Sequence, residues 1–322
     1  MQRFAVLGLG LALVLAAALP QARADEYPSR PIRLIIGFPP GSAADISARV
    51  VGDVMSRTLG QQVIIEAKPG AGSSLAGEFV ARSPADGYTL YMNTTSNVTN
   101  AAIQTNLRFD YLKDFAPITP LTGLPLILAV HPSLGVSTIQ ELIALAKQKP
   151  SELTYASVGP GTVGHLALEL ISVRTGIKLT HVPYPGSPPG VADLVAGRVS
   201  MTLGVASTVW PHVESGRLKA LATCSGKRSP GAPNVPTISE TVLPNFDCSV
   251  WFGLAAPTGT PRPVIDRLAA AANAALKQGD VAGRLRAAGF EPLGSSPDEF
   301  AAYIAREDVK WRAAALAAGF KK

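Results

Sequence analysis

IRLIIGFPPGSAADISAR, residues 32–49, is a strand, a tight turn and the start of a helix in one short stretch. Residues 32–38 form an apolar run closed by Pro39, Pro40 and Gly41, which predicts a buried strand and a sharp turn. From Ser42 onward, apolar side chains recur at Ile46, Val50, Val51, Val54 and Met55 with helical spacing, and Gly60 ends the series. A helix is therefore expected over 42–58. Strand, sharp turn, helix is the repeating unit of an α/β sheet with helices on its faces.

The unit repeats on both sides. Residues 63–67 predict a strand, 68–72 a turn, 74–82 a helix, and Asp86-Gly87 a turn into a strand at 88–92. A second set begins at 126. Strands are expected at 126–131, 153–158, 178–183, 199–203 and 218–224, with helices at 138–149, 162–174 and 187–196. A loop rich in Pro and Gly follows over 225–236. The apolar run VWFGLAA at 250–256 predicts one more strand, then helices at 261–277 and 281–288. Ser296 and Glu299 form a capping box that opens a final helix of about twenty residues. No strand is expected after 256, so the last helices should return to the first sheet. The expected architecture is two α/β lobes crossed twice by the chain, near 120–128 and 245–252. Lobe one takes residues 25–125 and 250–322 and lobe two 126–249, with a ligand cleft between them.

The N-terminus predicts export. Arg3 precedes an apolar run over 4–18, and Pro20 with Ala22-Arg23-Ala24 supplies a break and a cleavage pattern. That is a secretory signal peptide over 1–24, cut before Asp25, and its apolar run is shorter than the roughly 20 residues of a membrane span. A periplasmic location follows. The net charge of +6 includes Arg3 and Arg23 of the leader, and the remaining excess is dispersed. With no block of like charge, the composition excludes a nucleic-acid or membrane-surface role. The 30 glycines and 27 prolines of the chain fit many tight strand–helix turns. In an oxidising compartment the two cysteines, Cys224 and Cys248, form a candidate disulfide, with a pair of free buried thiols as the alternative.

Four segments at the carboxyl ends of expected strands are rich in Gly, Pro and hydroxyls. They are residues 38–45 (FPPGSAAD), 68–74 (KPGAGSS), 159–165 (GPGTVGH) and 93–97 (NTTSN). Open α/β sheets bind ligands at such positions, and the following helix starts present unpaired N–H groups with partial positive charge. An anion is the fitting ligand. None of the four segments holds an Arg, yet charge-assisted hydrogen bonds of about 1.5–3 kcal/mol each suffice for a micromolar complex, which needs about 8 kcal/mol.

Other chemistry finds little support. Gly159, Gly161 and Gly164 match the dinucleotide fingerprint, but residues 178–186 contain no acid to hold a ribose. There is no Gly-x-Ser-x-Gly elbow and no metal-binding spacing among His131, His165, His181 and His212. His165 starts a helix beside a glycine loop, as a base, a ligand contact or a bond to the neighbouring loop. Asp45 sits in the first turn of its helix, where a carboxylate is stabilising. Neither catalysis nor a metal or cofactor is expected.

Five ordered motifs carry a family resemblance across the mature chain. They are IIGFPPGSAADISAR (35–49), EAKPGAGSSLAGEFVARSPADGYTL (66–90), GPGTVGHLALEL with HVPYPGSPPG (159–170 and 181–190), PTISE (236–240), and WFGL through Thr260-Pro261. Together they resemble the substrate-binding proteins of tripartite tricarboxylate transporters, the Bug family. The resemblance implies a type II periplasmic-binding-protein fold, two α/β lobes closing on a small carboxylate, and delivery to membrane subunits by a monomeric receptor. A di- or tricarboxylate, an amino acid or an aromatic acid all remain open. By motif, the pocket should use Phe38, Gly41, Ser42, Ser73, Ser74, Thr94, Thr95 and Ser96. From the opposite lobe it should use Gly161, Thr162, His165, Tyr184 and Gly186, with Ala206 and Ser207 as weaker candidates. Ser42 and Ser73 stand where the family usually has glycine, and Ala67-Lys68 departs from its usual Asn, which leaves ligand identity open. A sensor whose liganded form docks to a membrane signalling partner is the alternative, and a hydrolase on the same fold a further one.

Overall fold

The computed structural model describes residues 27–229 and 232–320. The leader expected over 1–24 lies outside the described residues. Strand β1 (Ile32–Ile36), helix α1 (Ala43–Leu59), β2 (Val63–Ala67), α2 (Ser74–Ala81), β3 (Thr89–Thr94), α3 (Thr95–Ile103) and β4 (Phe115–Leu124) come first. Next are β5 (Leu126–Val130), α4 (Ile139–Gln148), β6 (Thr154–Ser157), α5 (Val163–Thr175), β7 (Thr180–Pro183), α6 (Ser187–Val195), β8 (Met201–Val205), α7 (Ala206–Glu214) and β9 (Lys219–Cys224). The chain closes with α8 (Ile238–Thr241), β10 (Val250–Pro257), α9 (Arg262–Lys277), α10 (Gly279–Ala287), β11 (Glu291–Pro292) and α11 (Pro297–Ala317).

These strands form two sheets, in the orders β11-β4-β10-β3-β1-β2 and β7-β6-β8-β5-β9. Burial explains the order of the first. Every residue of β3 and β10 is buried, so both lie inside the sheet, whereas β2 is partly exposed and takes the edge. β1 pairs in parallel with β2 and β3, as the strand–turn–helix units require. The returning strand β10 runs antiparallel to β3 and β4, and β5 runs antiparallel to β8 and β9. Each sheet is therefore mixed. The chain leaves the first sheet through Pro125, between β4 and β5, and returns to it between β9 and β10. Cys224, the last residue of β9, is bonded to Cys248, two residues before β10, with Cα atoms 5.3 Å apart.

Five elements depart from expectation, the simplest being the single turn α8, which forms between the 225–236 loop and β10 where no helix is expected. β4, FAPITPLTGL, carries Pro117 and Pro120, which read as breaks; its pairing with β10 shifts register beside Gly253 and Ala255, the residues opposite those prolines. α3, TSNVTNAAI, is polar in its first half and lacks an apolar stripe, yet residues 95–102 are buried. α7 contains Pro211 and forms where no helix was expected. The two-residue strand β11 follows α10 and pairs with Gly123 and Thr122 of β4, correcting the expectation of no strand after 256. The last helix does return to the first sheet: α11, opened by Ser296 and Glu299 as expected, packs on β4 and α3 and also touches α5. Among the described residues no helix is long and apolar enough to cross a membrane.

Candidate functional site

A cavity of about 60 Å³ opens between the two sheets, where one water needs roughly 10–15 Å³ on the same scale. The first sheet contributes Phe38, Ser42, Thr94, Ser96, Val250 and Phe252. The second contributes Ser157, Thr162 to Gly164, Gly186, Ser187 and the end of β8. These are the turns after β1, β3, β6 and β7, the carboxyl-end positions where α/β sheets bind ligands.

Each turn is set by local hydrogen bonds. In the first, Gly41 takes φ 78°, a left-handed conformation that favours glycine. Its N–H donates to Asp45 Oδ2 at 3.0 Å, and Ser42 Oγ accepts from the Asp45 N–H at 3.4 Å. Arg49 Nε donates to the other Asp45 oxygen at 2.9 Å. Asp45 is thus spent on folding its own turn. At β3–α3, Thr94 Oγ1 accepts from the Ser96 N–H at 3.4 Å, and Asn97 Oδ1 accepts from the Thr94 N–H at 3.0 Å. Ser42 and Thr94 serve as acceptors in these caps, so each keeps a hydroxyl proton to give to a ligand.

Helix α5 begins differently. No side chain caps it, and Thr162, Val163 and Gly164 of its first turn line the cavity. Its orphan N–H groups carry the positive end of the helix dipole. Gly164 permits this placement, because a Cβ there would sit 2.5 Å from the Leu203 carbonyl oxygen.

Six of the fifteen expected ligand residues line the cavity: Phe38, Ser42, Thr94, Ser96, Thr162 and Gly186. The structure places seven of the other nine nearby in supporting contacts. Ser73 Oγ and the Tyr91 hydroxyl are 2.8 Å apart, and that hydroxyl also accepts from Asn97 Nδ2 at 2.6 Å. Ser74 Oγ accepts from Asn100 Nδ2 at 3.3 Å. Thr95 Oγ1 accepts from the Trp251 N–H at 2.9 Å, tying α3 to β10. Gly161 donates its N–H to His165 Nδ1 at 3.3 Å, and its carbonyl accepts from Thr99 Oγ1 across the cleft. Tyr184 turns to Asp193, donating its hydroxyl to Oδ2 at 2.8 Å. Ala206 and Ser207 line a second cavity, of about 340 Å³, with Trp210, Glu214 and Arg286.

Sequence reasoning missed Ser157, Ser187 and Thr202, together with the apolar wall from β5, β8, α6 and β10. Single residues at strand ends carry no motif, and only the pairing of β6 with β8 brings Ser157 and Thr202 into one wall.

His165 and His181 stack with ring centroids 4.4 Å apart, and Tyr155 lies 4.9 Å from His181. Burial lowers both imidazoles to about 4; at His181 the neighbouring His165 adds to the fall, while the Glu169 carboxylate opposes it. Both are neutral at pH 7, which lets His165 Nδ1 accept from Gly161. Ser157 Oγ lies 2.6 Å from His181 Nε2, a nucleophile–base distance, but an imidazole lowered this far is a weak general base. Among the described residues no group of three potential metal ligands occurs.

Residues 47–319 match the tripartite tricarboxylate transporter family receptor. The chain belongs to this receptor family. BugT of Bordetella pertussis is 35% identical over 315 residues, covering 97% of either chain. A protein from the tcbD-tcbE intergenic region of Pseudomonas sp. (strain P51) is 36% identical over 312 residues, 97% of this chain and 93% of the other. Among solved structures, an R. palustris protein with adipate is 34% identical and superposes with a TM-score of 0.87 over 91% of this chain and 99% of that one. MatC from Rhodopseudomonas palustris with bound malate is 31% identical, with a TM-score of 0.85 over 89% and 99%. The fold is accordingly the two-lobed α/β architecture of periplasmic binding proteins, and the family is one of solute-binding receptors.

Proposed function

We propose that this receptor is exported to the periplasm, captures a small carboxylate between its lobes, and presents it to the membrane subunits of a tripartite transporter. The observation that carries this reading is the uncapped start of α5, set in one cavity with the hydroxyls of Ser42, Thr94 and Ser96. Backbone N–H groups and hydroxyl protons together hold a carboxylate without a counter-charge. The adipate and malate in two relatives agree with that chemistry. A lobe division at 25–125 with 250–322 and at 126–249 accords with the two sheets. Cleavage before Asp25 and a monomeric state complete the proposal.

Binding without turnover is the reading for the same site. The cavity holds no charged side chain, and its one serine–histidine contact joins a weak base to a serine that also accepts the Gly159 N–H at 3.1 Å. Calorimetric titration of the purified protein with mono-, di- and tricarboxylates tests the proposal. It predicts one site per chain, saturable by at least one acid and leaving that acid chemically unchanged. Absence of binding across the whole panel, by folded protein, rules it out.

A further inference from the structure

The start of α5 has a second face, turned away from the cavity, and the first lobe closes on it. Thr99 and Asn100, both buried in the second half of α3, stand behind the cavity and not in its wall. Thr99 Oγ1 donates to the Gly161 carbonyl of the opposite lobe, a closer acceptor than the Ser96 and Thr95 carbonyls of its own helix at 3.2 and 3.4 Å. Asn100 Nδ2 donates to the Gly72 carbonyl at 2.8 Å, and its Oδ1 accepts from Gln104 Nε2 at 2.7 Å, which fixes the amide's orientation. Gly161 lies so close to that oxygen that a Cβ on it would sit 1.8 Å away. Gly72 makes the matching approach: its Cβ would lie 3.1 Å from the Pro160 carbonyl oxygen and 3.1 Å from Thr162 Cγ2. Two glycine turns, one per lobe, thus meet backbone to backbone. Phe320, beyond the end of α11, sets its ring 5.8 Å from that of His165.

None of Thr99, Asn100, Gly72, Gly161 and Phe320 lines the ligand cavity, so nothing in these contacts calls for a ligand. In an open receptor, water satisfies the Thr99 hydroxyl and the Gly161 carbonyl; in the closed one they satisfy each other. Remove the hydroxyl, and closing leaves the carbonyl buried without a partner, which is costly. Observed affinity is the closed form's own affinity multiplied by the fraction of receptor that is closed. A contact acting on that fraction changes every ligand by one factor, whereas a residue touching the ligand discriminates among ligands.

We propose that Thr99 and Phe320 clasp the start of α5 around a turn seated on Asn100, drawing the lobes together without a ligand and scaling the affinity for every ligand alike. The scaling rests on the carboxylate-receptor reading; the ligand-free closure does not.

Small-angle X-ray scattering of the ligand-free mature protein, with calorimetry against adipate, malate, hexanoate and benzoate, tests it on Thr99→Val, Thr99→Ser and Phe320→Ala. Melting temperature shows whether each variant is folded. Ligand-free Thr99→Val and Phe320→Ala should have a larger radius of gyration than the unsubstituted protein. For Thr99→Val the Kd of every acid that binds should rise by one common factor of about tenfold. Thr99→Ser keeps the hydroxyl and should match the unsubstituted protein in both measurements. Unchanged scattering in the folded variants overturns the clasp, and Phe320→Ala decides alone if Thr99→Val does not fold. Factors that differ among the acids by more than about threefold overturn it as well, since they mark contact with the ligand. If no acid binds the unsubstituted protein, the receptor reading fails, and scattering still decides whether the clasp exists.

Discussion

Ser96 stands at the start of α3, buried, and the hydrogen bonds of its neighbours leave its hydroxyl to the cavity. A hydroxyl aimed at a carboxylate contributes roughly 1.5–3 kcal/mol. Ser96→Ala should therefore weaken carboxylate binding about tenfold or more with an unchanged melting temperature, as read by calorimetry and thermal unfolding. At His165 and His181 the effect is on stability. Their imidazoles fall to about 4 in the folded protein against about 6.5 in the unfolded chain. Between those values the unfolded chain binds more protons, so stability is complete above about pH 6.5 and is lost as pH falls towards 4. Melting temperature measured from pH 7 to pH 4 should drop over that window, and His181→Phe, which keeps a ring in the stack, should flatten the drop. A flat profile in the unsubstituted protein contradicts the assignment. Residue chemistry of this kind was only half legible in the sequence. Ser42, Thr94 and Thr162 were found because motifs and cap positions mark them. Ser73 and Thr95 sit in the same motifs, but their side chains turn to the Tyr91 hydroxyl and to the Trp251 N–H, partners that only the folded chain brings near.

At the scale of elements, strand–turn–helix units with apolar stripes were legible, and elements that break the local rules were not. β4 hides behind Pro117 and Pro120, and α3 behind a run of Thr, Ser and Asn whose burial is compensated by hydrogen bonds rather than by an apolar face. The turn before α6 makes a contact across the cleft that no sequence pattern announces. A Cβ on Gly186 would lie 2.5 Å from Pro39 Cγ in the first turn. Gly186 has φ −179°, extended backbone that any residue adopts, so alanine there is a problem of space and not of conformation. Overpacking of this kind costs about 1–3 kcal/mol. Gly186→Ala should leave the lobes folded, resist their approach and weaken ligand binding about tenfold or more, whereas unchanged affinity would show that the contact does not govern closure.

The whole molecule is held at two kinds of junction. One is covalent: the Cys224–Cys248 bond spans the return from the second sheet to the first. Closing that loop of 24 residues stabilises the fold by about 3 kcal/mol on the loop-entropy model. Cys224→Ser with Cys248→Ser should lower the denaturant midpoint accordingly, while an unchanged midpoint would mean the bond is not formed. The other junction is contact between lobes, through Thr99 on the Gly161 carbonyl, Pro39 against Gly186, and the Phe320 ring 5.8 Å from that of His165. The two-lobed plan could be read from the order of strands and helices, because each unit is local. The closing contacts could not, since they join residues far apart in the chain. The most direct test is a crystal structure of the protein with its tightest-binding carboxylate. A carboxylate group within hydrogen-bond distance of the first-turn N–H groups of α5 and of the Ser42, Thr94 or Ser96 hydroxyls is the predicted result. A carboxylate seated instead beside Ser207 and Arg286 in the second cavity would contradict it.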